Sequence, residues 1–297
     1  MSKQIDNLTQ WVATCSQAVD DYLELTTPFL LEQPSIDPKS QWVLKQLSIS
    51  CNLSSESSLL LISYLRLWDA EMLLRSVMEG TVKYIYLCLG GTGELATKVD
   101  EFLEDLRNIS KLKNHQRVSA FLAEVDDASL DEWAILRQVL IEDTEVDALR
   151  LRYPRQVAQR LQQKWSFNEM ALTLAKTDGA APGFESLQKL LTYSYGIGSH
   201  LIHQDANALE LICDRNRQSS QELELVQLAH AARQMNDLMI MAHLRTVLTF
   251  KLHNADMKPV SNLFEEHKPL FAEWDALCQM WWSEQPKEAE REIYNDL

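Results

Sequence analysis

Residues that interrupt helices are so scarce in this chain that they restrict it to one class of fold. The sequence has 8 glycines and 8 prolines in 297 residues, and it is rich in Leu, Ala, Glu and Gln. These four residue types lose little side-chain freedom in a helix, whereas glycine and proline destabilise helix interiors. The composition therefore predicts an all-α fold with few strands or none.

Capping patterns and apolar periodicity divide the chain into helices. The pattern S-x-x-E predicts helix starts at Ser129, Ser166 and Ser219. The two longest later helices, over 56–89 and 220–254, have extensive apolar faces, and we expect them to form the antiparallel centre of a multi-helix bundle. The predicted helices cover residues 4–31, 39–50, 56–89, 94–124, 130–149, 154–176, 184–204, 220–254 and 261–283.

These helices are predicted to form one bundle with a polar segment inserted into it. We expect N-terminal helices over residues 1–50, a main bundle over 51–255, and a C-terminal aromatic helix with an acidic tail over 256–297. The segment over about 94–180 carries most of the charge and few large apolar clusters. Such a composition predicts a peripheral insertion.

Charge and cysteine content argue against several classes of protein. The net charge of -15 opposes binding along a nucleic-acid backbone, which requires clustered Lys and Arg. The five cysteines are widely spaced and form no C-x-x-C pair, which predicts reduced core thiols. The N-terminus lacks a secretory pattern, and no window has the ~18 uncharged apolar residues that cross a bilayer. We therefore expect a cytoplasmic protein without membrane contact or cofactor.

The segment over residues 193–205 concentrates hydroxyls, imidazoles and a carboxylate. On a helix, Tyr195, Ser199 and His203 share one face, because residues three and four apart are neighbours. Two interpretations stay open, a ligand site and a hydrogen-bonded polar seam in a helical core. The candidate ligand-binding residues here are Tyr195, Ser199, His200, His203 and Asp205.

Gly196 and Gly198 lie within the same helical segment. Each costs roughly 1 kcal/mol in a helix interior relative to alanine, so we expect another backbone or a ligand to approach closely. His200, His203 and Asp205 are residue types that bind zinc, but no further His or Cys pair completes a ligand set. We therefore predict no metal site.

Four alternating charges follow one stripe of the predicted helix over 56–89, namely Glu71, Arg75, Glu79 and Lys83. One interpretation is a solvated ladder of ion pairs, each contributing a few tenths of a kcal/mol. The alternative is that Arg75 and Glu79 turn inward, since a buried arginine requires a carboxylate partner. Such a pair would leave donors for a phosphate or for the polar segment.

Two short motifs resemble a known family. L-L-R-S-V-M-E, ending at Glu79, together with Y-x-x-x-S-x-x-x-H, from Tyr195 to His203, resembles a widespread bacterial family of helical domains of unknown function. That family is similar in architecture to the HEPN superfamily of helical nucleases and nucleotide-binding domains. The resemblance covers roughly residues 50–255 and implies a HEPN-like bundle. It also implies that Arg75, Glu79, Ser199 and His203 converge in the bundle core.

The resemblance implies two possible functions. The first is a protein of bacterial stress or phage defence that acts through a partner or by self-association, with a polar core cluster that is structural or binds a small phosphorylated ligand. The alternative is a divergent metal-independent ribonuclease of a toxin–antitoxin or defence system. HEPN ribonucleases use an Arg and a His separated by four to six residues on one helix, and no pair with that spacing occurs in this sequence. Arg75, Glu79 and His203 would then form the catalytic group across two helices.

The C-terminal helix is predicted to be an association surface. Its aromatic side chains recur at helical spacing, and leaving them in water is unusual for a monomer. We expect a homo-oligomer or a protein partner here, while packing onto the chain's own bundle stays open. The predicted contact residues are Phe264, Phe271, Trp274 and Trp281.

Overall fold

The computed structural model describes residues 2–31, 36–176 and 184–284, and all regular structure in these ranges is helical. The all-α prediction is confirmed. No helix within those ranges is both long and apolar enough to cross a membrane. The acidic tail and the side chain of Trp281, both named in the predictions, lie outside the described part of the chain.

The chain divides into two compact units. The first combines Met1–Cys88 with Thr177–Leu297, and the second is Leu89–Lys176. A π-helical turn, Glu101–Asp105, joins α4 to α5, and a 3₁₀ turn, Asp131–Trp133, precedes α6. The α-helices are α1 Ser2–Leu31, α2 Pro38–Ser63, α3 Leu67–Cys88, α4 Gly91–Asp100, α5 Leu106–Leu122, α6 Ala134–Arg137, α7 Asp143–Arg152, α8 Arg155–Lys164, α9 Phe167–Ala175, α10 Phe184–His203, α11 Ala206–Arg217, α12 Ser220–Leu252 and α13 Lys258–Glu284.

The predicted boundary between the second and third helices is wrong. α2 continues through the serine-rich stretch to Ser63, and the break falls at Leu65, whose φ is +55°. The serines do not end the helix because they bond to helix carbonyls: Ser55 Oγ donates to the carbonyl of Cys51 at 2.8 Å. Their small side chains also let α2 pack closely and antiparallel on α3, where Ser58 Oγ donates to the Ala70 carbonyl at 3.2 Å.

The predicted antiparallel pairing of the two long helices is also wrong. Glu71 of α3 bonds to Gln234 of α12, and Thr81 bonds to Arg245 further along both helices. The residue numbers rise together, so α3 and α12 run parallel. Helices joined by a short loop are antiparallel neighbours, but the connection between these two is long enough to permit either direction.

Two of the three predicted capping patterns start helices. Ser166 caps α9, and Ser219 forms a capping box with Glu222 at the start of α12. Ser129 does not cap a helix, because both its backbone N–H and its hydroxyl donate to Asp127. A side chain already engaged in a local turn cannot cap the following helix.

The C-terminal helix packs against its own chain. Trp274 of α13 is fully buried, and the Phe264 ring lies 4.8 Å from the ring of His243 on α12 and 5.7 Å from that of Phe271. Trp274 is therefore removed from the association surface predicted on this helix, because α1 and α12 already cover it. Contacts from α1 include the bond from Trp11 Nε1 to Glu273 at 3.1 Å.

Candidate functional site

Close packing of α10 on α3 brings together three of the predicted site residues. A Cβ on Gly198 would lie 3.0 Å from the Arg75 Cβ and 3.3 Å from the Glu71 carbonyl oxygen, so glycine permits the approach. Arg75 Nε donates to Glu79 Oε1 at 3.1 Å, and Arg75 Nη2 donates to the Tyr195 hydroxyl at 3.1 Å. The guanidinium also lies 4.8 Å from the centre of the Tyr195 ring.

This trio, Arg75–Glu79–Tyr195, lies at the edge of the core. The Arg75 side chain is 15% exposed, and those of Glu79 and Lys83 are 33% and 30% exposed. Burial raises the pKa of Tyr195, and the charge of Glu79 raises it further. The phenol therefore stays protonated at neutral pH. Arg75 Nη1 is buried without an acceptor in the described part of the chain.

The other predicted residues of α10 do not join the trio. Asp205 accepts from Ala208 N as the N-cap of α11, and its carboxylate lies 2.7 Å from His200 Nδ1. The hydrogen bond from His200 lowers the pKa of Asp205. Ser199 is half-buried and His203 is exposed. His203 is five residues beyond Gly198, which packs against Arg75, and at about 100° per residue it points about 140° away from that face of α10.

A larger polar cluster, which the sequence reasoning missed, is centred on Glu71. This glutamate is fully buried, and its Oε2 accepts from His230 Nε2 at 2.9 Å and from Gln234 Nε2 at 2.8 Å. It also accepts from Arg233 Nη2. All three donors come from α12. The ion-pair ladder predicted on α3 is therefore wrong for Glu71, which faces the interior.

Arg233 extends this cluster to α10. Its Nη1 donates to Asp237 Oδ2 at 2.8 Å and to Ser194 Oγ at 2.6 Å. The Ser194 hydroxyl donates in turn to Asp237 Oδ2 at 2.7 Å. A cation shared by two buried carboxylates thus connects α3, α10 and α12. We call Glu71, Ser194, His230, Arg233, Gln234 and Asp237 the Glu71 cluster.

α11 contributes a second arginine beside this cluster. Arg215 Nη1 donates to His230 Nδ1 at 3.0 Å, and its guanidinium carbon lies 4.2 Å from the centre of the Trp68 ring. Since His230 Nδ1 accepts this bond, the ring carries its proton on Nε2, where it donates to Glu71. Both nitrogens of His230 are thereby occupied.

The buried ionisable groups have strongly shifted pKa values. Burial alone would raise the pKa of Glu71, but the Arg233 charge and hydrogen bonds from His230 and Gln234 lower it to about 2. Burial lowers the pKa of His230 to about 4 and raises that of Asp237 to about 6. At neutral pH, Glu71 is ionised and His230 is neutral. The cluster therefore consists of fixed charges with compensating signs.

One signal in the sequence could have revealed the Glu71 cluster. His230, Arg233, Gln234 and Asp237 have the spacing i, i+3, i+4, i+7 on a helix that is otherwise mostly apolar. Polar residues that follow a helical stripe through a buried helix form a hydrogen-bonded network. Within the described residues, no group of three or more His, Cys, Asp and Glu side chains is arranged to hold a metal ion.

A second candidate surface is the outer face of α2. Four large apolar side chains of α2 and that of Tyr64, the residue directly after it, are exposed to solvent: Trp42, Ile49, Leu53, Leu60 and Tyr64. Their exposed fractions run from 38% for Ile49 to 73% for Tyr64. Since each residue turns a helix by about 100°, the five lie within an arc of about 60°. We call this row the α2 apolar stripe.

Comparison with known proteins identifies a family whose function is unknown. The sequence profile of a family of unknown function, DUF5677, matches residues 41–220. The match covers more than half of the chain, so the protein belongs to this family. No curated protein and no solved structure matches the chain. The matched range includes the α2 apolar stripe and Glu71, and it ends at the first residue of α12.

Proposed function

We propose that this member of the DUF5677 family is a binding protein that acts as a homodimer formed through the α2 apolar stripe. The observation that carries the proposal is the exposure of Trp42, Leu53 and Leu60 on one face of α2, with Tyr64 continuing the row at the end of the helix. The opposite face of α2 packs on the core, so the stripe is not needed to hold the fold together. Contiguous apolar surface of this kind marks interaction sites.

The size of the stripe suits an interface between two copies. Its exposed side chains present roughly 500 Å² of apolar surface, taking aromatic side chains at 150–250 Å² each. A standard interface buries about 800 Å² per partner, and polar residues supply the rim. α2 has 26 residues and is therefore about 39 Å long, which is sufficient for several layers of paired side chains.

Charges beside the stripe favour an antiparallel dimer. Lys45 and Glu56 flank the same edge of the stripe. When two copies of α2 cross antiparallel about residue 51, Lys45 of one copy faces Glu56 of the other, twice. A parallel pair would place the edge with Lys45 and Glu56 on opposite sides of the interface in the two copies, so these charges would not meet. The antiparallel register also sets Trp42 against Leu60.

The Glu71 cluster serves this function as a structural element. Its His230 has both ring nitrogens engaged and is buried, so it has no access to a polymeric substrate. The Glu71 and Gln234 Oε1 atoms, both buried, lack donors among the described residues, which disfavours a phosphate as a ligand. We infer that the cluster fixes α10 and α12 on α3 and thereby keeps the bundle that carries α2 rigid.

The oligomeric state tests this proposal. The wild-type protein should sediment at twice the 34.2 kDa chain mass, and Leu53→Glu should sediment as a folded monomer, because a carboxylate would be buried near the two-fold axis. Leu209→Glu is the matched control, since Leu209 is 57% exposed and Leu53 is 58% exposed. A monomeric wild type, or equal dissociation in both variants, contradicts the proposal.

A charge exchange tests the antiparallel register. Lys45→Glu should weaken the dimer several-fold, because two carboxylates would then face each other on each side of the axis. Adding Glu56→Lys restores opposite charges and should restore the dimer. A parallel dimer would show neither the weakening nor the rescue, because Lys45 and Glu56 would then lie on opposite sides of the interface in the two copies.

A further inference from the structure

A cleft lies within the unit formed by residues 89–176. It has a volume of about 490 Å³ and opens between α5, α8 and the end of α7. Its floor is apolar and includes Ile109, Leu112 and Tyr153, which also belong to the core of this unit. Volumes of a few hundred Å³ with an apolar floor and a few polar groups are typical of small-molecule sites.

The polar lining of the cleft is cationic. Lys113, Arg150 and Arg155 line it together with three glutamines, and no carboxylate is among the described lining residues. This is unusual in a chain with 43 acidic and 28 basic residues. A cleft lined by one sign of charge over an apolar floor attracts the opposite charge strongly.

Three acids near the cleft, which are not among its lining residues, already have partners. Asp105 accepts from the Tyr153 hydroxyl at 2.6 Å, and Glu145 pairs with Lys111. Arg150 lies 3.8 Å from Asp147, and both side chains are more than half exposed, so the pair is weak. Lys113 donates to Gln162 Oε1 at 2.7 Å, a neutral acceptor that leaves its charge uncompensated.

We propose that this cleft binds a small organic anion with an apolar body, independently of dimer formation through α2. The anionic group lies between Lys113 and Arg155 and is held by charge-assisted hydrogen bonds. The apolar body rests on Leu112 and Tyr153. The glutamines at the rim, Gln116, Gln159 and Gln162, supply further hydrogen bonds.

Anilinonaphthalene sulfonate is a suitable fluorescent probe, because it joins one anionic group to an aromatic body. We expect saturable binding of one probe molecule in the cleft. Lys113→Gln and Arg155→Gln should each weaken the binding roughly tenfold. Lys111→Gln and Arg160→Gln, which change cations outside the lining, are the matched controls and should leave it unchanged. Uncharged phenylnaphthylamine should bind equally to all of these variants.

Two further variants separate this site from the α2 apolar stripe. Ala158→Phe fills the cleft without changing its charge and should abolish sulfonate binding. Leu53→Glu should retain that binding even when it dissociates the dimer. Sulfonate binding that is insensitive to Lys113, Arg155 and Ala158, or that disappears only in Leu53→Glu, overturns the proposal.

Discussion

Glu71 and Glu79 lie on the same helix, two turns apart, and have opposite environments. Glu71 is fully buried and accepts from three α12 side chains. Glu79 is one-third exposed and pairs with Arg75 and Lys83 of its own helix. The first glutamate connects distant parts of the chain, whereas the second mainly pairs with neighbours along one helix. It also accepts a bond from a distant residue, the Tyr195 hydroxyl, at 3.4 Å.

The difference shows that a carboxylate's effect on stability depends on what it leaves behind when removed. A buried ion pair is costly to form, but breaking it strands a charge in the interior. An exposed pair can exchange its partner for water at little cost. The two sites should therefore respond very differently to the same substitution.

Removing the Glu71 carboxylate should have the largest effect. Glu71→Ala leaves Arg233 with a single carboxylate and takes the acceptor from His230 and Gln234, so we expect a loss of about 3–5 kcal/mol in the free energy of unfolding. Urea denaturation at pH 7 measures it. Glu71→Gln keeps the volume and provides a folded comparison if the alanine variant does not fold. If Glu71→Ala lost less unfolding free energy than Glu79→Gln, the contrast between the two glutamates would be contradicted.

The pH dependence of stability tests the role of His230 in the Glu71 cluster. Its pKa in the fold is about 4, below the ordinary value of 6.5. Between these values the unfolded chain binds a proton that the folded chain does not, so stability falls as pH falls from about 6.5 to 4. The wild type should lose roughly 3 kcal/mol more over this range than His230→Gln, measured by urea denaturation at each pH.

Asp237 contributes with the opposite sign over part of the same range. Its pKa is raised to about 6, so the folded state binds a proton first as pH falls. The wild type and His230→Gln both contain Asp237. Its contribution therefore largely cancels when their pH-dependent losses of stability are compared. The pKa of Glu71, lowered to about 2, adds a loss of stability below about pH 4. Equal pH profiles for the two proteins would contradict the assignment of His230.

The two glycines of α10 provide a matched pair with an intermediate effect. Gly198→Ala places a Cβ 3.0 Å from the Arg75 Cβ and 3.3 Å from the Glu71 carbonyl oxygen. We expect it to cost about 1–3 kcal/mol through displacement of α10. A Cβ at Gly196 meets nothing within 4 Å, so Gly196→Ala should stabilise by about 0.5–1 kcal/mol. Thermal unfolding of the two variants should shift in opposite directions.

Neutralising Glu79 should have the smallest effect. Glu79→Gln retains a hydrogen-bond acceptor for Arg75, and the exposed side chain is accessible to water, so we expect a change below about 1 kcal/mol. The same urea denaturation used for the Glu71 variants measures it. A loss comparable to that of Glu71→Gln would show that the trio with Tyr195 carries more of the packing of α10 than its exposure indicates.

The sequence was sufficient to predict the all-α class of fold and which faces of several helices are buried. The apolar face predicted for the helix over 220–254 is buried in α12, at positions such as Ala231, Met235 and Leu238. Helix direction was not predictable, because the parallel contact of α3 with α12 is made across the whole inserted segment. The end of α2 was missed because Leu65 adopts a left-handed conformation without a glycine or proline to signal it.

The candidate site was less accessible to sequence reasoning. A charge at every fourth position fits a solvated ladder and a buried network equally well, and the environment of Glu71 is decided by α12, far away in sequence. His230 and Asp237 were not predicted as site residues because the periodicity of α12 is dominated by its apolar residues. The HEPN-like architecture, the defence setting and the ribonuclease alternative remain predictions from the resemblance.

The distance along the sequence between Glu71 and Arg233 also determines the order in which parts of the fold can form during synthesis. The two residues are 162 positions apart. At the ribosome's pace of about 5–20 residues per second, roughly 10–30 s pass between their emergence. During this interval the nascent α3 carries an ionised carboxylate and an apolar face that α12 has yet to cover. The inserted unit, complete at residue 176, is therefore ready to fold before the unit that begins and ends the chain.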